Sequence, residues 1–309
     1  MNTLIVITGP TGVGKTELCL SLAEHYGVDI INADSRQIYA EIPIGTAAPT
    51  AEQQRRVRHH FVATKHIGDY YSASMYEQDV LQLLATQPFD SKDGIAAILT
   101  GGSMMYIDAV CNGIDDIPTV DDATRRWMKQ RLENEGLPAL LEELKALDPE
   151  HWAVVDHNNP RRIVHALEIC HVSGKTYTSF RTGEKKPRPF HTIKIALTRD
   201  RAELYERINQ RVLDMAQAGL IDEARAMMPH RHENALNTVG YKELFKYFDG
   251  DIPLEEALRQ IQSNTRQYAR KQLTWYKKDT ETTWLHPDDK EGITRYIDNK
   301  IALLQRENL

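Results

Sequence analysis

The residues with the clearest chemistry stand near the start of the chain. Gly9, Pro10, Thr11, Gly12, Val13, Gly14, Lys15 and Thr16 satisfy G-x-x-x-x-G-K-[ST], a loop whose backbone N–H groups curl around an anion. The glycines permit the tight backbone and the following helix N-terminus adds its dipole. Lys15 supplies a point charge and the Thr16 hydroxyl is a ligand for Mg2+. A glycine-rich turn without a ligand would not account for the Lys-Thr pair. The loop alone does not say what becomes of the phosphate. An ATPase or GTPase needs an apolar strand ending in an acid that holds Mg2+, and the third apolar run here ends in Thr100-Gly101-Gly102 with no acid. Asp34 is the one acid that ends a strand in the right neighbourhood. It is expected to serve either as a partner of Mg2+ or as a general base.

The elements that position these residues follow from hydrophobic patterning. Asn2–Thr8 is an apolar, β-branched run, and Glu17–Tyr26 places Leu18, Leu22 and Tyr26 on one helical face before Gly27. Val28–Ala33 and Gly94–Thr100 repeat the strand signal, and Ser103–Val110 reads as a helix. Continuously apolar strands alternating with helices predict an α/β protein: a P-loop NTPase-like parallel sheet with helices on both faces and ligands at the carboxyl ends of its strands. From residue 113 the texture changes. Ile114–Asp122 is acidic, and Ala123–Asn134, Pro138–Leu147 and Pro160–His171 read as helices without an intervening strand. Thr182–Pro189, with Lys185, Lys186 and Arg188, reads as a mobile basic loop, and the strand pattern resumes at Thr192–Leu197. The expectation is a core of residues 1–112 and 191–309 interrupted by a mostly helical insertion at 113–190. Arg201–Ala218 and Pro253–Lys278 complete the core as long amphipathic helices, in the second of which Ile261, Tyr268 and Leu273 are expected to pack inward.

Composition bounds the rest. The 309 residues are 41% hydrophobic and 27% charged, which is ordinary for a globular chain with a real core. Three separated cysteines, Cys19, Cys111 and Cys170, support neither a disulfide framework nor a cysteine zinc site and suit a reducing, cytoplasmic setting. The apolar run Leu4–Ile7 stops at Gly9-Pro10, too short for a signal peptide or a membrane span. His59, His60, His66, His151, His157, His165 and His171 do not fall into a zinc-ligand spacing, so no zinc is expected. The net charge of −6 conceals two basic stretches: Pro160–Arg211 has 12 Lys/Arg against 5 Asp/Glu, and Arg259–Lys278 has 6 Lys/Arg and no acid. Either could dock a polyanion on an otherwise acidic body.

Beyond Gly9–Thr16, further motifs run in order over nearly the whole chain. They are Asn32-Ala33-Asp34-Ser35-Arg36-Gln37-Ile38-Tyr39, Ile44-Gly45-Thr46-Ala47, His59-His60-Phe61 and Thr100-Gly101-Gly102-Ser103-Met104-Met105-Tyr106. They continue with Asn159-Pro160-Arg161-Arg162, Ser173-Gly174-Lys175, Val239-Gly240-Tyr241 and the stretch Thr265–Trp275. Together they resemble the signatures of the tRNA dimethylallyltransferases. The resemblance implies transfer of the prenyl group of dimethylallyl diphosphate to N6 of adenine 37, beside the anticodon. It implies Mg2+ as cofactor and tRNA as partner, without a membrane, in a protein expected to be a monomer. The loop then cradles a departing diphosphate, with Arg211 as a further cation one helical turn from Arg207. Asp34 becomes the candidate acceptor of the N6 proton. The resemblance further implies an RNA path along Asp34, Ser35, Arg36, Gln37, Ser103, Arg125, Arg161, Arg162, Ile163, Val164, His165, Asn237, Thr238, Val239, Gly240, Tyr241 and Lys242, with the basic insertion gripping the anticodon stem-loop. Three positions depart from the family pattern: His165 stands where arginine is more usual, Ala48 where a lysine commonly follows Gly-Thr-Ala, and Ser103 where threonine is usual. With no cysteine after Cys170, the zinc finger of eukaryotic members is not expected. Two other enzyme readings remain open from the residues, a small-molecule kinase using ATP and a prenyltransferase of free adenine nucleotides. A non-catalytic nucleotide-switched RNA binder is the third alternative.

Overall fold

The computed structural model describes residues 2–86 and 94–307. In chain order the elements begin with β1 (Asn2–Thr8), α1 (Lys15–Tyr26), β2 (Ile30–Asn32), α2 (Pro43–Thr46), α3 (Ala51–Arg56), β3 (His59–His60), α4 (Ala73–Thr86), β4 (Ile95–Thr100) and α5 (Met104–Asn112). They continue with α6 (Asp122–Leu147), α7 (Pro149–Val154), α8 (Pro160–Ser173), β5 (Phe190–Leu197), α9 (Arg201–Gln217) and α10 (Leu220–Ala226). The last are α11 (Tyr241–Phe248), α12 (Leu254–Tyr276), β6 (Thr283–Leu285) and α13 (Lys290–Glu307).

The sheet is parallel throughout, in the order β3-β2-β4-β1-β5-β6, with β1 between β4 and β5. The central strand explains why both faces need covering. Its buried run splits by alternation, Ile5 and Ile7 facing one apolar cluster and Leu4 and Val6 the other. In β4 the partition changes phase. The register slips between Thr3 and Leu4, so that Thr3 pairs with Ile95 but Leu4 with Ala97, and Ile95 and Ile98 come to share a face. A third cluster joins Ile38 and Ile42, beyond β2, to residues of α9 to α12 such as Val212, Leu244 and Ile261. The edge strands β3 and β6 are additions to the predicted sheet. Spans of two and three residues carry no periodicity to read.

Two compact units are present: Met1–Cys111 with Arg188–Leu309, and Asn112–Pro187. The second has its own core of Met128, Leu140, Leu144, Ile163 and Leu167. Its long helix is broken where the two predicted helices were separated, at Gly136 (φ +78°), two residues before Pro138. The first unit resumes at Arg188, earlier than the apolar run alone suggested. That side chain is buried, donating to Glu77 Oε1 at 2.5 Å and to the Ala109 carbonyl at 2.6 Å. Arg188 is therefore a structural cation of the core, not part of a mobile basic loop. The loop before it is also tied down: Lys186 pairs with Asp116 at 2.7 Å, and Thr182 donates through its hydroxyl to Asp115 at 2.7 Å. Among the described residues no helix is long and apolar enough to cross a membrane.

Candidate active site

The phosphate loop leaves β1 at Thr8 and enters α1 at Lys15, with Gly9, Gly12 and Gly14 at φ of +140°, +85° and +108°. Four of its carbonyls are engaged by cations. Lys15 Nζ donates to Gly9 O (2.8 Å) and Pro10 O (3.0 Å), Arg207 Nε to Gly12 O (2.9 Å) and Arg199 Nε to Val13 O (2.8 Å). Arg199 is in turn paired with Glu203 and Asp288, the latter in the turn before α13. Arg199 is thereby neutralised, and Lys15 and Arg207 are the cations of this group that line the cavity. Burial, and then the neighbouring Arg211 guanidinium, bring the Lys15 ammonium down to about 8, against the opposing pull of Cys19 and Asp34. Arg211 is itself lowered by burial, and Asp34 offsets part of that. Lys15 and Arg211 thus line one cavity as cations whose mutual repulsion a bound polyanion would relieve.

The loops after β2 and β4 form the opposite wall and touch each other. A Cβ at Gly101 would run into the backbone of Ala33, so only glycine admits this approach, and one at Gly102 would lie 2.6 Å from Asp34 Oδ2. Asp34 Oδ1 accepts the backbone N–H of Arg36 at 2.9 Å, which turns the chain and fixes the carboxylate. Ser103 accepts from Ser35 N at 2.8 Å and donates to Ser35 Oγ at 2.9 Å, a bond that either Ser or Thr provides. Gln37 spends its amide on the carbonyls of Thr46 (3.0 Å) and Ala47 (3.1 Å), so it braces the neighbouring loop.

These walls enclose a cavity of about 840 Å3 in the first unit. It is lined by Thr11, Gly12, Gly14, Lys15 and Thr16, by Asp34 to Gln37 with Ser103, by Arg207 and Arg211, and by Asn237, Thr238, Val239, Gly240 and Lys242. Gly9, Pro10 and Val13 stand behind that lining, and so does Tyr241, which is wholly buried. The Tyr241 hydroxyl donates to Glu223 at 2.5 Å, and Glu223 accepts the N–H groups of Ile44 and Gly45, both at 2.8 Å. Burial and the Glu223 carboxylate push the phenol up. Tyr241 is accordingly a strut for the Ile44–Ala47 loop, with no side-chain surface for RNA. In the second unit, the Asn159 side chain caps α8 and Pro160 occupies its first turn, leaving Arg161, Arg162 and His165 exposed at the start of that helix. Val164 and Arg125 are half-buried, and Ile163 is fully buried in that unit's core.

Four residues of the site were not assigned these roles from the sequence: Glu223, Arg199, Gln272 and Tyr268. Gln272 and Tyr268 fall within the Thr265–Trp275 stretch, but a helical period does not reveal which polar side chain turns inward. Ile261 and Leu273 pack in the core as predicted, whereas Tyr268 lines the cavity and donates to Gly102 O at 2.9 Å.

The family model described as IPP transferase matches residues 37–279. The chain is 60% identical to tRNA dimethylallyltransferase 1 of Phocaeicola vulgatus, over 96% of this chain and 98% of its relative. It is 57% identical to the enzyme of the same name from Bacteroides thetaiotaomicron, over 96% of each. The crystal structure of the tRNA isopentenylpyrophosphate transferase from Bacillus halodurans superposes with a TM-score of 0.71 at 31% identity, covering 100% of this chain and 99% of that one. A eukaryotic dimethylallyltransferase acting on tRNA shares the fold, with a TM-score of 0.78 over 94% of this chain and 75% of that one, at 24% identity. With a carboxylate fixed across the cavity from the glycine-rich loop and this likeness over nearly its full length, the chain belongs to the IPP transferase family.

Proposed function

We propose that the protein transfers the dimethylallyl group of dimethylallyl diphosphate to N6 of adenine 37 in tRNA, releasing diphosphate. The observation that carries this reading is the pairing of two features in one cavity: a cluster of Lys15, Arg207 and Arg211 around the phosphate loop, and Asp34 held by its own turn on the facing wall. The lone pair of N6 forms the new bond to the allylic carbon. The carbon–oxygen bond breaks, its electron pair leaving with the diphosphate, and the N6 proton passes to Asp34. Charge develops on the leaving oxygens, so cations already in place favour the transition state over the ground state.

The donor set fits a magnesium ion, which keeps several waters and takes few protein ligands. Thr16 is exposed at the first turn of α1 and lines the cavity, and among the described residues no cluster of histidines, cysteines and acids offers a denser site. Thr16 would hold Mg2+, which when bound supplies positive charge to the departing diphosphate. The second unit, with Arg161, Arg162 and His165 exposed on α8, grips the anticodon stem-loop, and the flipped adenine enters the cavity beside Ser103 and the Asn237–Lys242 segment. The protein acts in the cytoplasm as a monomer.

Mass spectrometry of an anticodon stem-loop incubated with the protein, Mg2+ and dimethylallyl diphosphate tests the reading, with ATP in a parallel reaction. The expected result is a gain of one five-carbon prenyl unit on adenine 37. Consumption of ATP without any gain would assign the loop to phosphoryl transfer.

A further inference from the structure

Gln272 on α12 is wholly buried, and both ends of its amide are spent on backbone. Its Oε1 accepts the N–H of Thr11 at 2.9 Å and its Nε2 donates to the carbonyl of Gly102 at 2.9 Å. Thr11 belongs to the phosphate loop after β1, and Gly102 to the loop after β4. Packing does not call for an amide here. The neighbouring Ala269 and Tyr276 are buried members of apolar clusters, and a methionine would fill the same volume without two polar atoms to satisfy. What the amide supplies is a tie between two loops of separate strands. Gly102 occupies the narrow space between this amide and the catalytic carboxylate: a Cβ there would stand 3.7 Å from Gln272 Nε2 and 2.6 Å from Asp34 Oδ2. Tyr268, one turn before Gln272, donates to the same Gly102 carbonyl at 2.9 Å and holds it from a second side.

We infer that Gln272 is a positioning residue that fixes the separation between the diphosphate cradle and Asp34, through Thr11 on one side and Gly102 on the other. The inference rests on the proposed prenyl transfer, in which the cradle holds the leaving group and Asp34 takes the proton. Each substrate half-site keeps its own interactions without this tie. What depends on it is the simultaneous alignment of leaving group, nucleophile and base, which is worth orders of magnitude in rate and little in ground-state binding.

Two variants test it. Gln272→Met keeps the volume and removes both hydrogen bonds. Its kcat for prenylation of the stem-loop is expected to fall about 10- to 100-fold, while KM for dimethylallyl diphosphate and the affinity for inorganic diphosphate stay within about threefold. Gln272→Glu adds a readout that a purely structural role would not move. Its protonated carboxyl reproduces the amide pattern, accepting from Thr11 N–H and donating to Gly102 O, whereas the carboxylate faces that carbonyl without a donor. Turnover of Gln272→Glu relative to the wild type is therefore expected to rise as the pH is lowered from 8 to 6. A kcat for Gln272→Met within about twofold of wild type overturns the inference, as does a loss of diphosphate affinity as large as the loss of kcat. If that variant does not fold, the Gln272→Glu ratio decides alone: rising toward low pH supports the tie, and flat across pH rejects it. No transfer by the wild-type protein in the same assay would overturn the reading of the reaction, and the inference with it; transfer by the wild type with an unimpaired Gln272→Met overturns the inference alone.

Discussion

At the scale of single residues, the proposed reaction gives Asp34 and Lys15 different halves of the work, so their substitutions are expected to separate. Asp34→Asn keeps the acceptor that turns the backbone at Arg36 but cannot take a proton. Its kcat is expected to fall by about 10²- to 10⁴-fold with the affinity for inorganic diphosphate nearly unchanged, measured by single-turnover prenylation and by calorimetry; wild-type turnover would remove Asp34 from the mechanism. Lys15 yields a pH dependence. The amine loses its charge near pH 8 in the folded protein and near 10.5 when unfolded. Below about pH 8 the folded state bears the whole cost of the buried charge, and that cost is relieved as the pH rises toward 10.5, because there the unfolded chain binds the extra proton. Anion binding runs the opposite way. A neutral Lys15 attracts no phosphate, so the affinity for inorganic diphosphate is expected to weaken as the pH climbs through about 8, and to lose that inflection in Lys15→Arg.

At the scale of elements, the short α2 and its loop are held by a distant acid. Glu223 on α10 accepts from Ile44 N, Gly45 N and the Tyr241 hydroxyl, so Glu223→Ala strands three donors at once. A stability loss on the order of 3 kcal/mol is expected in urea unfolding, with a smaller loss for Tyr241→Phe, which leaves the two backbone bonds in place. The Arg188–Glu77 pair behaves alike at the point where the chain returns to the core. Glu77→Ala leaves a buried guanidinium without its carboxylate and should cost about 3 to 5 kcal/mol. An unchanged unfolding midpoint in either case would show that water replaces the missing partner. The elements themselves were largely legible. β1, β4, α9 and α12 followed from apolar runs and helical periods, and the break in α6 followed from Gly136 and Pro138. The edge strands β3 and β6 were not, since their pairing is settled by the strand beside them rather than by their own two or three residues.

At the scale of the whole molecule, net charge and function point in opposite directions. In a chain of net charge −6, the proposed binding of RNA rests on local concentrations of arginine and lysine, not on the average. In the second unit, Arg161 and Arg162 are exposed at the start of α8. The double variant Arg161→Ala, Arg162→Ala is expected to weaken binding of the stem-loop and to make the slope of log affinity against log salt shallower by about 0.7 to 0.9 for each phosphate that is no longer neutralised. Turnover at saturating RNA should be retained, and a salt slope equal to that of wild type would remove these arginines from the interface. The alternation of strands and helices, the helices of the second unit and the glycine-rich turn from β1 into α1 were legible in contiguous residues, because each rests on local patterning: an apolar run, a helical period, or glycines that admit positive φ. Which polar side chains serve that loop is instead settled by segments far away in the chain. Gln272 reaches Thr11 across 261 residues, Arg199 reaches Val13 across 186, and Glu223 reaches Gly45 across 178. No period or spacing encodes such pairs, because a buried polar side chain finds its partner only after the apolar faces have packed and set its direction.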